Sequence, residues 1–142
     1  MSRFSNDLEQ AKALLQTGYT CVLQRENEQE SSTKRGVAPL LAWLNSGKNY
    51  HGFSAADKVV GKAAAYLYVL LGVKEIYAQV VSEAAEAVLS KYQIPLFYEE
   101  KVPAIRNRTN TGFCPMEQAV WDIDEPREAK QAIETTLKKL QS

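Results

Sequence analysis

Apolar residues recur along this chain with two different periods, and the changes of period divide it into elements. A helical pattern opens at Ser5 or Asn6 and stops at Gly18, which is typical of a helix with a glycine cap. Residues 19–25 are β-branched and aromatic enough for a strand, and residues 29–34 can pair back after a polar turn. This arrangement predicts an antiparallel hairpin behind the first helix.

The most apolar part of the chain is predicted to be a central helix. Ser54 opens it, residues 55–71 contain only three charged side chains, and Gly72 ends it. Because the segment is apolar nearly all round, we expect it in the centre of the fold. A short amphipathic helix over residues 36–45 precedes it.

The second half of the chain alternates between strand and helix patterns. Residues 74–81 predict a strand, residues 82–92 a helix and residues 94–100 a further strand. A unit of this kind implies a parallel pair of strands with a right-handed crossover. A polar loop over residues 102–112 and two terminal helices complete the pattern.

The order of elements predicts one α/β domain over residues 1–142, a three-layer α/β/α sandwich with a mixed sheet of four or five strands. The 142 residues include 17 basic and 17 acidic ones, and this zero net charge speaks against nucleic-acid binding. The longest apolar stretch, residues 63–73, is about half a membrane span, so we expect no membrane association. Two cysteines and no signal-peptide pattern indicate a cytoplasmic protein.

Two motifs carry a family resemblance. Residues 52–65 are GFSAADKVVGKAAA, and residues 112–117 are GFCPME. In these motifs the chain resembles the cytidine deaminase superfamily and, more closely, its uncharacterised clade, domain of unknown function 1893. The resemblance extends from the hairpin to about Trp121 and implies a cytidine deaminase-like fold.

Active members of that superfamily bind zinc through His or Cys at two helix starts, beside a Glu that shuttles protons. The chain departs at each position, because the predicted helix starts at residues 55–59 and 81–85 contain neither thiol nor imidazole. We therefore expect no zinc, no other cofactor and no zinc-dependent deamination. The resemblance still implies where a site would lie. The place is at two adjacent helix N-termini outside the carboxyl end of a strand, where α/β sheets often bind ligands.

The first candidate residues surround the predicted start of the central helix. Ser54 and Asp57 fit a helix N-cap arrangement, and Asp57 is alternatively a general base or an orienting carboxylate. Lys58 and Lys62 are four residues apart and share a predicted helix face, which suits either a phosphate or carboxylate ligand or plain solvation. Gly61 indicates close helix–sheet packing or close approach of a ligand.

The second group of candidates lies near the predicted helix at residue 115. Cys114 precedes Pro115, and a thiol at a helix N-terminus can act as a nucleophile, although half-buried cysteines are often unreactive. The preceding loop contains the anion-binding donors Arg106, Arg108 and Asn110. Such loops are also commonly just solvated.

Three functions stay open at this point. The first is a zinc-free protein of deaminase fold that binds a nucleotide, a nucleobase or another small anionic ligand at the degenerate site. Its ligand-binding candidates are Ser54, Lys62, Arg106, Arg108 and Asn110. The second is an enzyme without a metal, in which Cys114 is the nucleophile, Asp57 the base and Lys58 the electrostatic stabiliser. The third is an interaction or structural subunit, and by analogy with the superfamily a homodimer is open too.

Overall fold

Five strands form one mixed sheet in the computed structural model, which describes residues 5–106 and 112–141. In chain order they are β1 (Cys21–Arg25), β2 (Glu28–Ser32), β3 (Ser54–Val60), β4 (Glu75–Ser82) and β5 (Leu96–Val102). Their spatial order is β2-β1-β3-β4-β5. β1 is antiparallel to β2 and β3, whereas β3, β4 and β5 run parallel to one another. The predicted hairpin and the predicted parallel pair are both confirmed.

Helices cover the two faces of this sheet. Those in the described residues are α1 (Asn6–Leu15), α2 (Ala38–Asn45), α3 (Lys62–Leu71), α4 (Glu83–Lys91), α5 (Pro115–Ala119) and α6 (Pro126–Gln141). α1 packs against β1 and β3, in a cluster that includes Val22 and Ala56. Their neighbours Leu23 and Ala55 belong to the larger core with α3, and because side chains alternate along a strand, that core lies on the opposite face. The predicted α/β class with a mixed sheet is confirmed.

The prediction of one long central helix is wrong at its start. Ser54–Val60 forms β3, the middle strand of the sheet, and α3 begins only at Lys62. Ser54 is therefore not the N-cap of this helix, and Asp57 does not lie in its first turn. Gly61 takes the N-cap position instead of lying inside the helix.

The error has a physical cause. Alanine, lysine and aspartate are poor strand formers, so residues 54–58 favour a helix locally. β3 is nonetheless hydrogen-bonded to β1 on one side and β4 on the other, and both its faces are covered. A strand buried on both faces shows a continuous apolar run, which cannot be told from a buried helix by its period.

Two serine N-caps, by contrast, are found where the sequence predicts the starts of helices. The Ser82 hydroxyl accepts a hydrogen bond from the N–H of Ala85 at 3.1 Å and begins α4 at the predicted place. Ser5 caps α1 in the same way, through the N–H of Leu8 at 3.1 Å. Within the described residues, no helix is long and apolar enough to cross a membrane.

Candidate functional site

A cavity of about 600 Å³ opens where β3 ends and α3 begins. Its wall combines the start of β1, the connection between β2 and α2, the end of β3 and the segment that leads into α5. The charged residues on this wall are Lys34, Arg35, Asp57, Lys58, Arg106 and Glu117. Four cations and two carboxylates thus surround one space, in a chain whose overall charge is zero.

Burial varies systematically across the cavity. Lys34, Arg35 and Arg106 are exposed and form its mouth, whereas Lys58 is half-buried. Asp57 and Glu117 are each only 8% exposed and belong to its floor. The positive groups therefore face incoming solutes first, and the acidic groups are among the buried residues of the lining.

Successive side chains along β3 point to opposite faces of the sheet, so Asp57 lies on the face opposite Ala56 and reaches the floor of the cavity. It faces α3, where its Oδ2 accepts a hydrogen bond from the Tyr68 hydroxyl at 2.6 Å. Its Oδ1 accepts one from the N–H of Val59 at 3.2 Å. Burial raises the pKa of Asp57 to about 7, and the hydrogen bonds from Tyr68 and Val59 oppose that rise. Both the ionised and the neutral form are thus accessible near neutral pH.

The groups around Asp57 are held in their neutral forms. Burial and the charge of Asp57 raise the pKa of the Tyr68 hydroxyl well above its usual value. The same two causes raise the pKa of the Cys21 thiol, which lies opposite Asp57 on β1 and is 2% exposed. Cys21 is therefore a neutral thiol in the core.

Glu117 closes the start of α3. Its Oε1 accepts a hydrogen bond from the N–H of Lys62 at 2.7 Å, and its Oε2 accepts one from the N–H of Ala63 at 2.9 Å. A carboxylate in this position complements the positive end of the helix dipole. No local sequence signal indicates this role, because residue 117 is 55 positions away from residue 62.

Gly61 is what allows Glu117 to approach so closely. A Cβ on residue 61 would lie 2.5 Å from Cδ and Oε1 of Glu117. Its φ of −96° is ordinary for any residue, so the requirement is for space and not for backbone freedom. The group that approaches Gly61 is therefore a side chain of the protein itself.

A second cavity of about 100 Å³ adjoins the first and shares Glu117 with it. Lys62, Ser82 and Trp121 also line it. The Lys62 ammonium donates to the carbonyl of Trp121 at 3.0 Å. The predicted shared face of Lys58 and Lys62 is therefore wrong, because Lys58 lies in a strand and lines only the larger cavity.

Cys114 joins the larger cavity through the segment that follows β5. Arg106 and Phe113 form an antiparallel bridge, and the N–H of Cys114 donates to the carbonyl of Ile105 at 3.1 Å. The guanidinium of Arg106 lies 5.3 Å from the centre of the Phe113 ring. These contacts bring Cys114, which is half-buried, to the same wall as Arg106.

The structure thus brings four of the sequence candidates together. Asp57, Lys58, Arg106 and Cys114 line one cavity. Ser54 does not, because its hydroxyl donates to Glu75 Oε2 at 2.5 Å near the other end of β3. Lys62 lines the smaller cavity instead, and the last two candidates, Arg108 and Asn110, lie outside the described residues.

Two cations of the cavity were missed in the sequence. Lys34 and Arg35 directly precede Gly36, whose φ of +71° turns the chain from β2 towards α2. The sequence signal for these two residues is a basic pair before a glycine, but no local sequence pattern relates that pair to Lys58. In the described part of the chain, no group of three or more His, Cys, Asp or Glu residues is placed to hold a metal ion.

Comparison with known proteins adds the family. A family model described as "TM1506: Domain of unknown function (DUF1893)" matches residues 9–137. The chain belongs to the DUF1893 family. A similar solved structure is the crystal structure of a DUF1893 family protein (TM1506) from Thermotoga maritima, with 25% sequence identity and a TM-score of 0.83. The similarity covers 97% of this DUF1893 chain and 92% of the Thermotoga chain. No curated protein matches the chain.

Proposed function

We propose that this DUF1893 protein binds a small anionic ligand, nucleotide-like in chemistry, in the larger cavity. One observation carries the proposal: Lys34, Arg35, Lys58 and Arg106 converge on a single cavity of about 600 Å³. Cavities of roughly 300–1,000 Å³ are typical of small-molecule sites. Lysine and arginine are also the usual partners of phosphate and carboxylate groups.

The lack of acidic partners for three of these cations, among the described residues, supports the proposal. Within the described part of the chain, none of Lys34, Arg35 and Lys58 forms an ion pair with Asp or Glu. Three like charges that gather without direct ion pairs repel one another, and an anionic ligand would relieve this repulsion. An ordinary solvated surface gives no reason for such a grouping.

The strand order and the position of the cavity support a cytidine deaminase-like fold with a degenerate site. The cavity lies at the carboxyl end of β3 and the start of α3, where the resemblance locates the deaminase site. The donors there do not fit zinc, because a carboxylate of Glu117 caps α3 and a hydroxyl of Ser82 caps α4. Zinc sites of this superfamily need thiolate or imidazole ligands at those places. We therefore derive no step through a metal ion.

A metal-independent enzyme is the second candidate, and the shared cavity of Cys114 and Asp57 favours it. Cys114 would supply the nucleophile, Asp57 would accept a proton and Lys58 would stabilise negative charge. The rate of alkylation by iodoacetamide at pH 6.5, measured in a Cys21→Ser background, tests the first of these roles. A rate no higher than that of an unperturbed cysteine contradicts the enzyme candidate. A structural subunit would need no cavity shared by these residues. The convergence of Asp57, Lys58 and Cys114 on one cavity therefore supports ligand binding over a purely structural role.

Thermal-shift measurements with nucleoside monophosphates and phosphorylated metabolites at millimolar concentration test the main proposal. We expect stabilisation by at least one of them, followed by a dissociation constant from titration calorimetry. Lys58→Ala should weaken binding about tenfold to a hundredfold, since hydrogen bonds to charged groups contribute about 1.5–3 kcal/mol. Lys138→Ala is the matched control, because it removes the same charge from an exposed position on α6. No stabilisation by any compound, or equal weakening by both variants, contradicts the proposal.

A further inference from the structure

The floor of the larger cavity offers hydrogen-bond acceptors that the protein uses only in part. A carboxylate oxygen has two lone pairs, and each oxygen of Asp57 accepts one hydrogen bond, from Tyr68 or from Val59. The backbone N–H of Lys58 makes a further, smaller contribution to this carboxyl group, so the four lone pairs of Asp57 are not all used by the protein. Glu117 is the other acid of the floor, but both its oxygens are held by the backbone at the start of α3.

Apolar side chains form a further part of the lining. Val37, Ala63, Ala64, Ile105 and Met116 line the same cavity as the carboxyl of Asp57 and the exposed cations. Small alanines leave room for a flat group, and the larger side chains provide surfaces for it to contact. The cavity therefore has three zones, which are cationic at the mouth, apolar on the wall and hydrogen-bond accepting at the floor.

We propose that the ligand carries two parallel N–H donors at one end, which bind the two oxygens of Asp57, and a phosphate or carboxylate at the other end, which binds Lys34, Arg35 and Lys58. The proposal rests on the proposed function, and it adds the chemical class and a specificity-determining residue. Two kinds of molecule share this chemistry: a nucleotide with a guanine-type lactam–amine edge, and a guanidino compound with an anionic group. Adenine-type rings lack the N–H pair and present a ring acceptor beside their amino group.

Guanosine and inosine monophosphate separate the contribution of the floor from that of the mouth. They share the sugar and phosphate, but inosine monophosphate lacks the amino group that supplies the second N–H donor. A site that accepts this hydrogen bond discriminates against the analogue without it, because a buried acceptor is left unpaired. We expect guanosine monophosphate to bind at least tenfold more tightly than inosine monophosphate. 4-Guanidinobutyrate, which carries a guanidinium at one end and a carboxylate at the other, is the probe for the guanidino source. Inorganic phosphate is the probe for the mouth alone.

The experiment is titration calorimetry of the full chain at pH 8, where Asp57 is ionised. Asp57→Asn replaces one acceptor oxygen by a donor, so the ratio between the two nucleotides should fall to about one while phosphate binding stays unchanged. Tyr68→Phe keeps the carboxylate and should preserve the ratio. If Asp57→Asn folds poorly, the ratio between the two nucleotides in the wild-type protein still tests the proposal, because a ratio of one overturns it.

The outcomes separate this proposal from the proposed function. Tighter binding of guanosine monophosphate than of inosine monophosphate, or binding of 4-guanidinobutyrate, supports the proposal if it is lost selectively in Asp57→Asn. Which of the two compounds binds identifies the kind of ligand. Equal binding of both nucleotides, weakened by Lys58→Ala, overturns the role of Asp57 and leaves the proposed function standing. Absence of binding by every probe, phosphate included, overturns both.

Discussion

The carboxylate of Glu117 occupies the space that a side chain on residue 61 would need. The two residues are far apart in the sequence, yet a Cβ on Gly61 would meet three atoms of that carboxyl group within 2.7 Å. The same carboxylate accepts hydrogen bonds from the backbone of Lys62 and Ala63. The glycine and the glutamate therefore form one structural unit, which fixes α5 against the start of α3.

Gly61→Ala tests this unit directly. The added methyl group should displace Glu117 from the helix start, and we expect a loss of about 1–3 kcal/mol in the free energy of unfolding. Urea denaturation of both proteins measures it. In a Glu117→Ala background the same substitution should cost almost nothing, because the clashing group is gone. Equal costs in the two backgrounds would show that the contact does not determine the effect.

Glu117→Gln separates the charge of the cap from its shape. The amide keeps one acceptor oxygen but turns a donor towards the N–H of Lys62 or Ala63. We expect the thermal midpoint to fall, by less than in Glu117→Ala, since the neutral side chain no longer complements the helix dipole. Gln118→Ala, at an exposed position of the same helix, is the control for changes in α5 itself. A midpoint equal to that of the wild-type protein would contradict the role of the charge.

Asp57 should make the protein less stable as pH rises. Its pKa is about 7 in the folded protein and near 3.8 in the unfolded chain, so between those values the folded state binds more protons. Stability is therefore lost progressively from about pH 4 to pH 7 and stays lower above that range. The effect is on the order of a few kcal/mol.

Asp57→Asn should remove this dependence. The neutral amide has no proton to lose, so its free energy of unfolding relative to the wild type should increase between pH 4.5 and pH 8. Urea denaturation at the two pH values provides the measurement. If wild type and variant change in parallel across that range, Asp57 is not the group responsible.

Salt should weaken ligand binding through the mouth of the cavity. Lys34 and Arg35 are exposed, so their interaction with an anion is screened by mobile ions, with a Debye length of about 10 Å at 0.1 M salt. We expect the dissociation constant of a bound nucleoside monophosphate to rise several-fold between 50 and 300 mM NaCl. Lys34→Ala should make this rise smaller, and Lys138→Ala should leave it unchanged. A dissociation constant independent of salt would argue against an electrostatic mouth.

Elements with local signals were predictable from the sequence. Ser5 and Ser82 are hydroxyl residues that precede helical patterns, and each caps the helix that it predicts. β3 was not predictable, because residues 54–58 are poor strand formers that adopt the strand only when β1 and β4 flank them. Tertiary pairing overrides local preference most strongly in the middle of a sheet.

The candidate site likewise contains residues that the sequence predicts and residues that it does not. Asp57, Lys58, Arg106 and Cys114 were selected by residue type and motif, and the structure brings them to one cavity. Their predicted geometry was wrong wherever it assumed that residues 54–62 form a single helix, since a strand turns Asp57 inward and separates Lys58 from Lys62.

The other residues of the site depend on contacts that no local pattern encodes. Lys34 and Arg35 reach the cavity from the far side of the hairpin. Glu117 reaches it from α5, 55 positions beyond the helix start that it caps. Pairings over such distances in the sequence are properties of the folded chain.

Glu117 also belongs to the lining of two cavities. Its side chain lines both the cavity of about 600 Å³ and the cavity of about 100 Å³, and Lys62 and Ser82 line the smaller one. The two spaces thus share one side chain, whose own hydrogen bonds serve the start of α3. A ligand of the kind proposed above would meet at this position a group that the helix needs for its own cap.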